Sequence, residues 1–137
     1  MIEIINRQSR YWIKTATFKH LLGRLIRHYD KGKVEVTLAF VGNRTMHGLN
    51  KRFADEDRST DVLSFPMNEQ GADGKFYLGD IIISVPYAFI QCLKKEHGLE
   101  RELEYLTIHG FLHLLGFEHF EGIEEEEEKI RNLYLGE

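Results

Sequence analysis

The apolar positions of this chain change period several times, and each change predicts an element. Residues 2–5 (IEII) read as a short first strand. From about Lys14 to Tyr29, the residues Phe18, Leu21, Leu22, Leu25 and Tyr29 recur three and four apart, which is the period of one helix face. Asp30-Lys31-Gly32 stops that helix, and VEVTLAFV (34–41) alternates as a strand does. Asn43 or Thr45 can cap a second helix with apolar positions Met46, Leu49 and Phe53. The polar segment 54–59 reads as a loop. DVLSF (61–65) and YLGDIIIS (77–84) are strand-like, joined by a glycine-containing loop over 68–75. Pro86 suits the first turn of a third helix, and His97-Gly98 its end. Residues 99–115 are the most apolar helical stretch, and a last helix runs from about 121 to 135.

That order predicts an α+β fold, a small mixed sheet of about four strands packed with about five helices. No repeat or Pro/Gly/Ser-rich linker interrupts it, so residues 1–137 are expected to form one domain. The acidic run Glu124–Glu128 reads as a solvated face near a helix start, where negative charge is favoured.

Composition narrows the function classes. Hydrophobic residues make up 42% of the chain and charged residues 29%, which fits a globular domain. No apolar run approaches the roughly 20 residues that span a bilayer. The first ten residues, MIEIINRQSR, lack the apolar core of a secretion signal, so no membrane partner and a cytoplasmic location are expected. Cys92 is the single cysteine, which excludes an internal disulfide and a thiolate metal cluster. A metal site here has to be built from imidazole and carboxylate. The net charge of −4 conceals an asymmetry: residues 1–58 carry twelve Lys and Arg against six Asp and Glu, and residues 59–137 carry six against sixteen. A basic first half can attract phosphate while the acidic remainder stays in solvent.

The segment with the most specific chemistry is HGFLHLLGFEH, residues 109–119. Four residues apart on a helix, His109 and His113 project from one face and can reach a single ion. Gly116 can end that helix and turn the chain back, bringing in His119 as a third ligand. Three imidazoles with no fourth protein ligand describe a catalytic zinc ion whose open position takes water. The spacing H-x-x-x-H-x-x-G-x-x-H is also that of the metzincin proteases, but those carry a general-base glutamate beside the first histidine. This chain has Gly110 there, which counts against a peptidase. The other histidines read as ordinary: His20, His28 and His47 at the surface, His97 at a helix end.

HGFLHLLGFEH resembles the H-G-x-L-H-L-x-G-x-x-H signature of the YbeY family of bacterial rRNA maturation factors. TDVLSFP (60–66), LGDIIIS (78–84) and LNKRF (49–53) resemble further segments of that family in the same order, from about residue 34 to 120. The resemblance implies a zinc-dependent endoribonuclease acting on single-stranded RNA, in 3′-end maturation of 16S rRNA and ribosome quality control. It implies one zinc ion held by His109, His113 and His119, and the ribosome or its small-subunit proteins as partners. The family usually has an arginine directly after the aromatic of LNKRF; this chain has Ala54, with Arg52 and Arg58 as the nearby catalytic candidates. Asp61, Asp80 and Glu118 are open as proton acceptors, the two aspartates equally as partners orienting the ligand imidazoles.

Arg10, Lys14, Thr17, Arg24, Arg27 and Lys31 recur at helical spacing opposite the apolar stripe of the first helix, and Arg24, Arg27 and Lys31 are candidate RNA contacts. Two competing readings stand beside the nuclease. One is a metallohydrolase of another substrate class, peptidase-like, with a base from elsewhere. The other is a ribosome-assembly factor that binds zinc without catalysis.

Overall fold

The structure, a computed structural model, describes residues 1–53, 60–118 and 122–137. Among the described residues, nine elements follow in the predicted order: β1 (Ile2–Asn6), α1 (Thr15–His28), β2 (Val34–Val41), α2 (Asn43–Phe53), β3 (Val62–Gln70), β4 (Phe76–Ser84), α3 (Val85–Lys94), α4 (Leu99–Leu114) and α5 (Ile123–Tyr134). The strands form one mixed sheet in the order β1-β2-β4-β3. β1, β2 and β4 are parallel, and β3 runs antiparallel on the edge beside β4.

The alternation in β2 is what holds the sheet to the helices. Val34, Val36, Leu38 and Phe40 are buried on one face, while Glu35, Thr37 and Ala39 on the other are only partly covered. Each such burial contributes about 1.5–3 kcal/mol. The core they enter includes Phe18, Leu22 and Leu25 of α1 and Leu103, Ile108, Phe111 and Leu112 of α4. Ile123 and Ile130 of α5 seal the same core, which fixes the last helix against α4.

Helix boundaries follow local chemistry. Ser84 caps α3: its Oγ accepts from the Tyr87 amide at 3.3 Å and donates to Asn43 Oδ1 at 2.6 Å, while Pro86 occupies the first turn. α4 ends in a Schellman motif. The Gly116 amide donates to His113 O and the Phe117 amide to Leu112 O, both at 3.0 Å, with Gly116 at φ +99°. The glycine after His113 does end the helix.

Several expectations are corrected. Phe53 is 59% exposed and packs edge-on against Phe65, and the buried position on its side of α2 is Asn50. β3 continues to Gln70, so the predicted loop 68–75 shrinks to residues 71–75: pairing with β4 carries the polar residues that hydropathy leaves outside a strand. α3 ends at Lys94, and Gly98 is the N-cap of α4. His97 is no plain helix-end residue, since its Nε2 lies 2.6 Å from Oε1 of the fully buried Glu102, which Lys95 Nζ also meets at 3.2 Å. The predicted loop 54–59 lies outside the described residues, and so does the predicted start of the last helix at 121.

Candidate functional site

α4 carries the first two histidines of the motif past the edge strand β3. Their four-residue spacing stacks the rings 4.6 Å apart and nearly perpendicular, and His109 Nε2 lies 3.0 Å from His113 Nε2. Both side chains are largely covered, with 23% and 18% exposed. They form one wall of a cleft of about 450 Å³ whose other lining residues are Thr60, Asp61, Val62, Leu63, Ser64, Pro66 and Glu118. The cleft therefore lies between the C-terminal half of α4 and strand β3.

The donor set suits a metal ion. Two nitrogens that each lie about 2.1 Å from one tetrahedral ion are about 3.4 Å apart, close to the separation here. His109 Nδ1 bonds to Glu127 Oε1 on α5, which directs Nε2 at His113. His113 Nδ1 lies 3.5 Å from Glu118 Oε2. His119, the expected third ligand, lies outside the described residues. Among the described residues, no group of three His, Cys, Asp or Glu side chains gathers as a complete ligand set.

Why glycine follows His109 is visible in the packing. A Cβ on Gly110 would sit 2.6 Å from Ile81 Cγ2 and 3.3 Å from Ser64 Oγ. Ser64 donates its hydroxyl to Gly110 O at 3.3 Å. α4 thus lies directly on β3 and β4 at this point, and a glutamate here would have to displace Ile81.

A family model described as endoribonuclease YbeY matches residues 3–134. The chain belongs to the YbeY endoribonuclease family. It is 47% identical over 114 residues to endoribonuclease YbeY of Brevibacillus brevis, covering 73% of this chain and 69% of that one. To the same-named protein of Acholeplasma laidlawii it is 37% identical over 123 residues, 90% and 87% of the two chains. The solution structure of TM1509 from Thermotoga maritima superposes with a TM-score of 0.64 at 28% identity, covering 99% of this chain and 90% of that one.

The remaining candidates fall in different places in this YbeY-family chain. Asp61 lines the cleft, its Oδ1 accepting from the Val62 amide at 2.8 Å and its Oδ2 from Gln91 Nε2 at 3.3 Å. Asp80 does not line it, and its Oδ1 instead accepts from the Tyr77 hydroxyl, whose pKa is raised by burial and then by that bond. Among the described contacts, neither aspartate is bonded to His109 or His113; Glu127 is the carboxylate bonded to His109. Arg52 sits in the last turn of α2 with its guanidinium 5.2 Å from the Phe53 ring centre, outside the cleft lining. Arg58 and Ala54 lie outside the described residues.

The basic residues of α1 are not brought to this cleft. Arg24 lies over the Tyr134 ring at 4.6 Å and shares a separate cleft with Lys14, Thr17 and His20. Arg27 faces Ile2 and Lys33 at the β1 edge, and Lys31 is exposed in the turn after α1. Sequence reasoning missed Ser64 and Glu127. Ser64 looks like any strand hydroxyl, and Glu127 is one of five consecutive glutamates whose tertiary partner no local pattern names.

No helix among the described residues is long and apolar enough to cross a membrane.

Proposed function

We propose that this chain is a zinc-dependent endoribonuclease that cuts single-stranded RNA, acting in 3′-end maturation of 16S rRNA and in ribosome quality control. The observation that carries the reading is the convergence of His109 Nε2 and His113 Nε2, 3.0 Å apart, on the wall of the cleft. His109, His113 and His119 would hold the ion. When bound, zinc lowers the pKa of water and offsets charge on a scissile phosphate.

The chain's own residues supply the rest. Glu127 Oε1 meets His109 Nδ1 on the side of the ring away from His113. Asp61 and Glu118 are the carboxylates lining the cleft, and so the groups placed to take a proton from the attacking oxygen. Asp61 is held by three donors, the Val62 amide, Gln91 Nε2 and Thr60 Oγ1, whereas Glu118 is exposed, with its Oε2 3.5 Å from His113 Nδ1. Arg52, in the last turn of α2, and Arg58, before β3 in the sequence, are the candidate cations for neutralising phosphate. Arg24, Arg27 and Lys31 lie away from the cleft and would serve flanking RNA only.

A peptidase is disfavoured by Gly110, because the position of the usual general base is filled by contact with Ile81. The test is cleavage of single-stranded RNA, duplex RNA and casein by the purified protein, with His113→Ala alongside. Cleavage of the single strand alone, abolished in His113→Ala, is the expected result. Casein cleavage, or RNA cleavage retained by the variant, would refute the reading. Bound zinc with neither activity would favour the non-catalytic assembly factor.

A further inference from the structure

We propose that Glu127 is a positioning residue of the metal centre, and that α5 exists in part to present it. This rests on the reading of His109 and His113 as metal ligands. Five consecutive glutamates open α5, but they do not share one environment. Glu124, Glu125 and Glu128 are exposed, and Glu126 turns to the Tyr29 hydroxyl. Glu127 meets His109, with only 12% of its side chain exposed.

The contact is one rung of a ladder between two helices. On α4, Tyr105 and His109 are one turn apart, and on α5 so are Glu127 and Arg131. Glu127 Oε1 takes His109 Nδ1, and its Oε2 lies 3.6 Å from Arg131 Nη2. Arg131 in turn rests its guanidinium 3.9 Å from the centre of the Tyr105 ring. The carboxylate is therefore held from behind by a cation that is itself held by an aromatic face. A neutral imidazole can carry its proton on either nitrogen, and a carboxylate at Nδ1 selects the form whose Nε2 lone pair is free. That nitrogen is the one facing His113. The Glu127 contact thus sets both the tautomer and the ring orientation that a shared ion requires.

Removing an outer partner of this kind weakens metal binding by roughly 10- to 100-fold. Zinc affinity measured by chelator competition should fall by that factor in Glu127→Ala. Glu127→Gln, whose amide oxygen can still accept from Nδ1, should recover most of the loss, Arg131→Ala should show a smaller one, and Glu128→Ala should match the unmodified chain. Nitrogen-15 spectra of the zinc-loaded protein should show His109 protonated at Nδ1 and metal-bound at Nε2. A drop in affinity in His113→Ala but none in a folded Glu127→Ala overturns this proposal alone, as does metal on Nδ1 of His109. Zinc binding untouched by His113→Ala overturns the metal reading itself.

Discussion

A Cβ placed on Gly110 would lie 2.6 Å from Ile81 Cγ2, so α4 touches the sheet one residue after its first metal-ligand candidate. The contact sets the depth at which His109 enters the cleft. Two effects compete in Gly110→Ala. Alanine favours a helix by about 0.5–1 kcal/mol over glycine, whereas overpacking a tight contact costs about 1–3 kcal/mol. With Ile81 fully buried and pinned, the second effect should win, leaving a net loss of about 1–2 kcal/mol. Urea unfolding measures this, and a variant as stable as the parent would show that α4 can lift from the sheet freely.

Glu102 is fully buried between Lys95 and His97, and the cost of breaking this cluster should depend on which side is removed. Glu102→Gln keeps hydrogen-bonding atoms in place and should cost about 1 kcal/mol. The pair Lys95→Met with His97→Ala leaves a buried carboxylate without a cation and should cost about 3–5 kcal/mol. Unfolding at neutral pH compares them directly. Equal losses would mean that solvent reaches Glu102.

The Tyr29 hydroxyl donates to Glu126, and its pKa is pushed well above the usual tyrosine value, first by burial and then by that bond. In the unfolded chain the group ionises near pH 10. The folded state then binds the proton more tightly, so this stabilisation is complete below about pH 10 and is lost as pH rises beyond it. Tyr77 and Tyr105 shift in the same direction, so comparison with Tyr29→Phe isolates the one residue. Tyr29→Phe should show a shallower loss of stability between about pH 10 and 11. Identical slopes would sink the assignment.

Phe53 stands exposed beside Phe65, with ring centres 5.7 Å apart, and Phe65 lies between the cleft residues Ser64 and Pro66. An exposed ring there can stack an RNA base, a contact that contributes about 1–3 kcal/mol. Phe53→Ala should raise KM for single-stranded RNA at least about five-fold, with kcat and the unfolding midpoint little changed. A lower midpoint with unchanged KM would make Phe53 a packing residue only.

The elements whose periodicity is set by one buried face were legible from the chain itself. β2 alternates because one face meets α1 and α4, and α1 repeats at three and four because it lies on that face. β3 was read short because residues 66–70 are exposed and owe their strand conformation to pairing with β4, which hydropathy does not record. At the site, the four-residue spacing of His109 and His113 is local and was readable. Glu127 was not, since its meeting with His109 depends on how α5 packs on α4. The same holds for Glu102, whose burial is set by the packing of α4 while its cationic partners precede that helix.

On this reading, the cleft beside His109 and His113 should cut RNA only with its metal in place. The most direct measurement is cleavage of a single-stranded RNA by chelator-stripped protein as zinc is added back. Activity should be absent from the stripped protein, rise to a plateau at one zinc per chain, and fail to appear in His113→Ala. Full cleavage by the stripped protein, or by His113→Ala, would contradict the account.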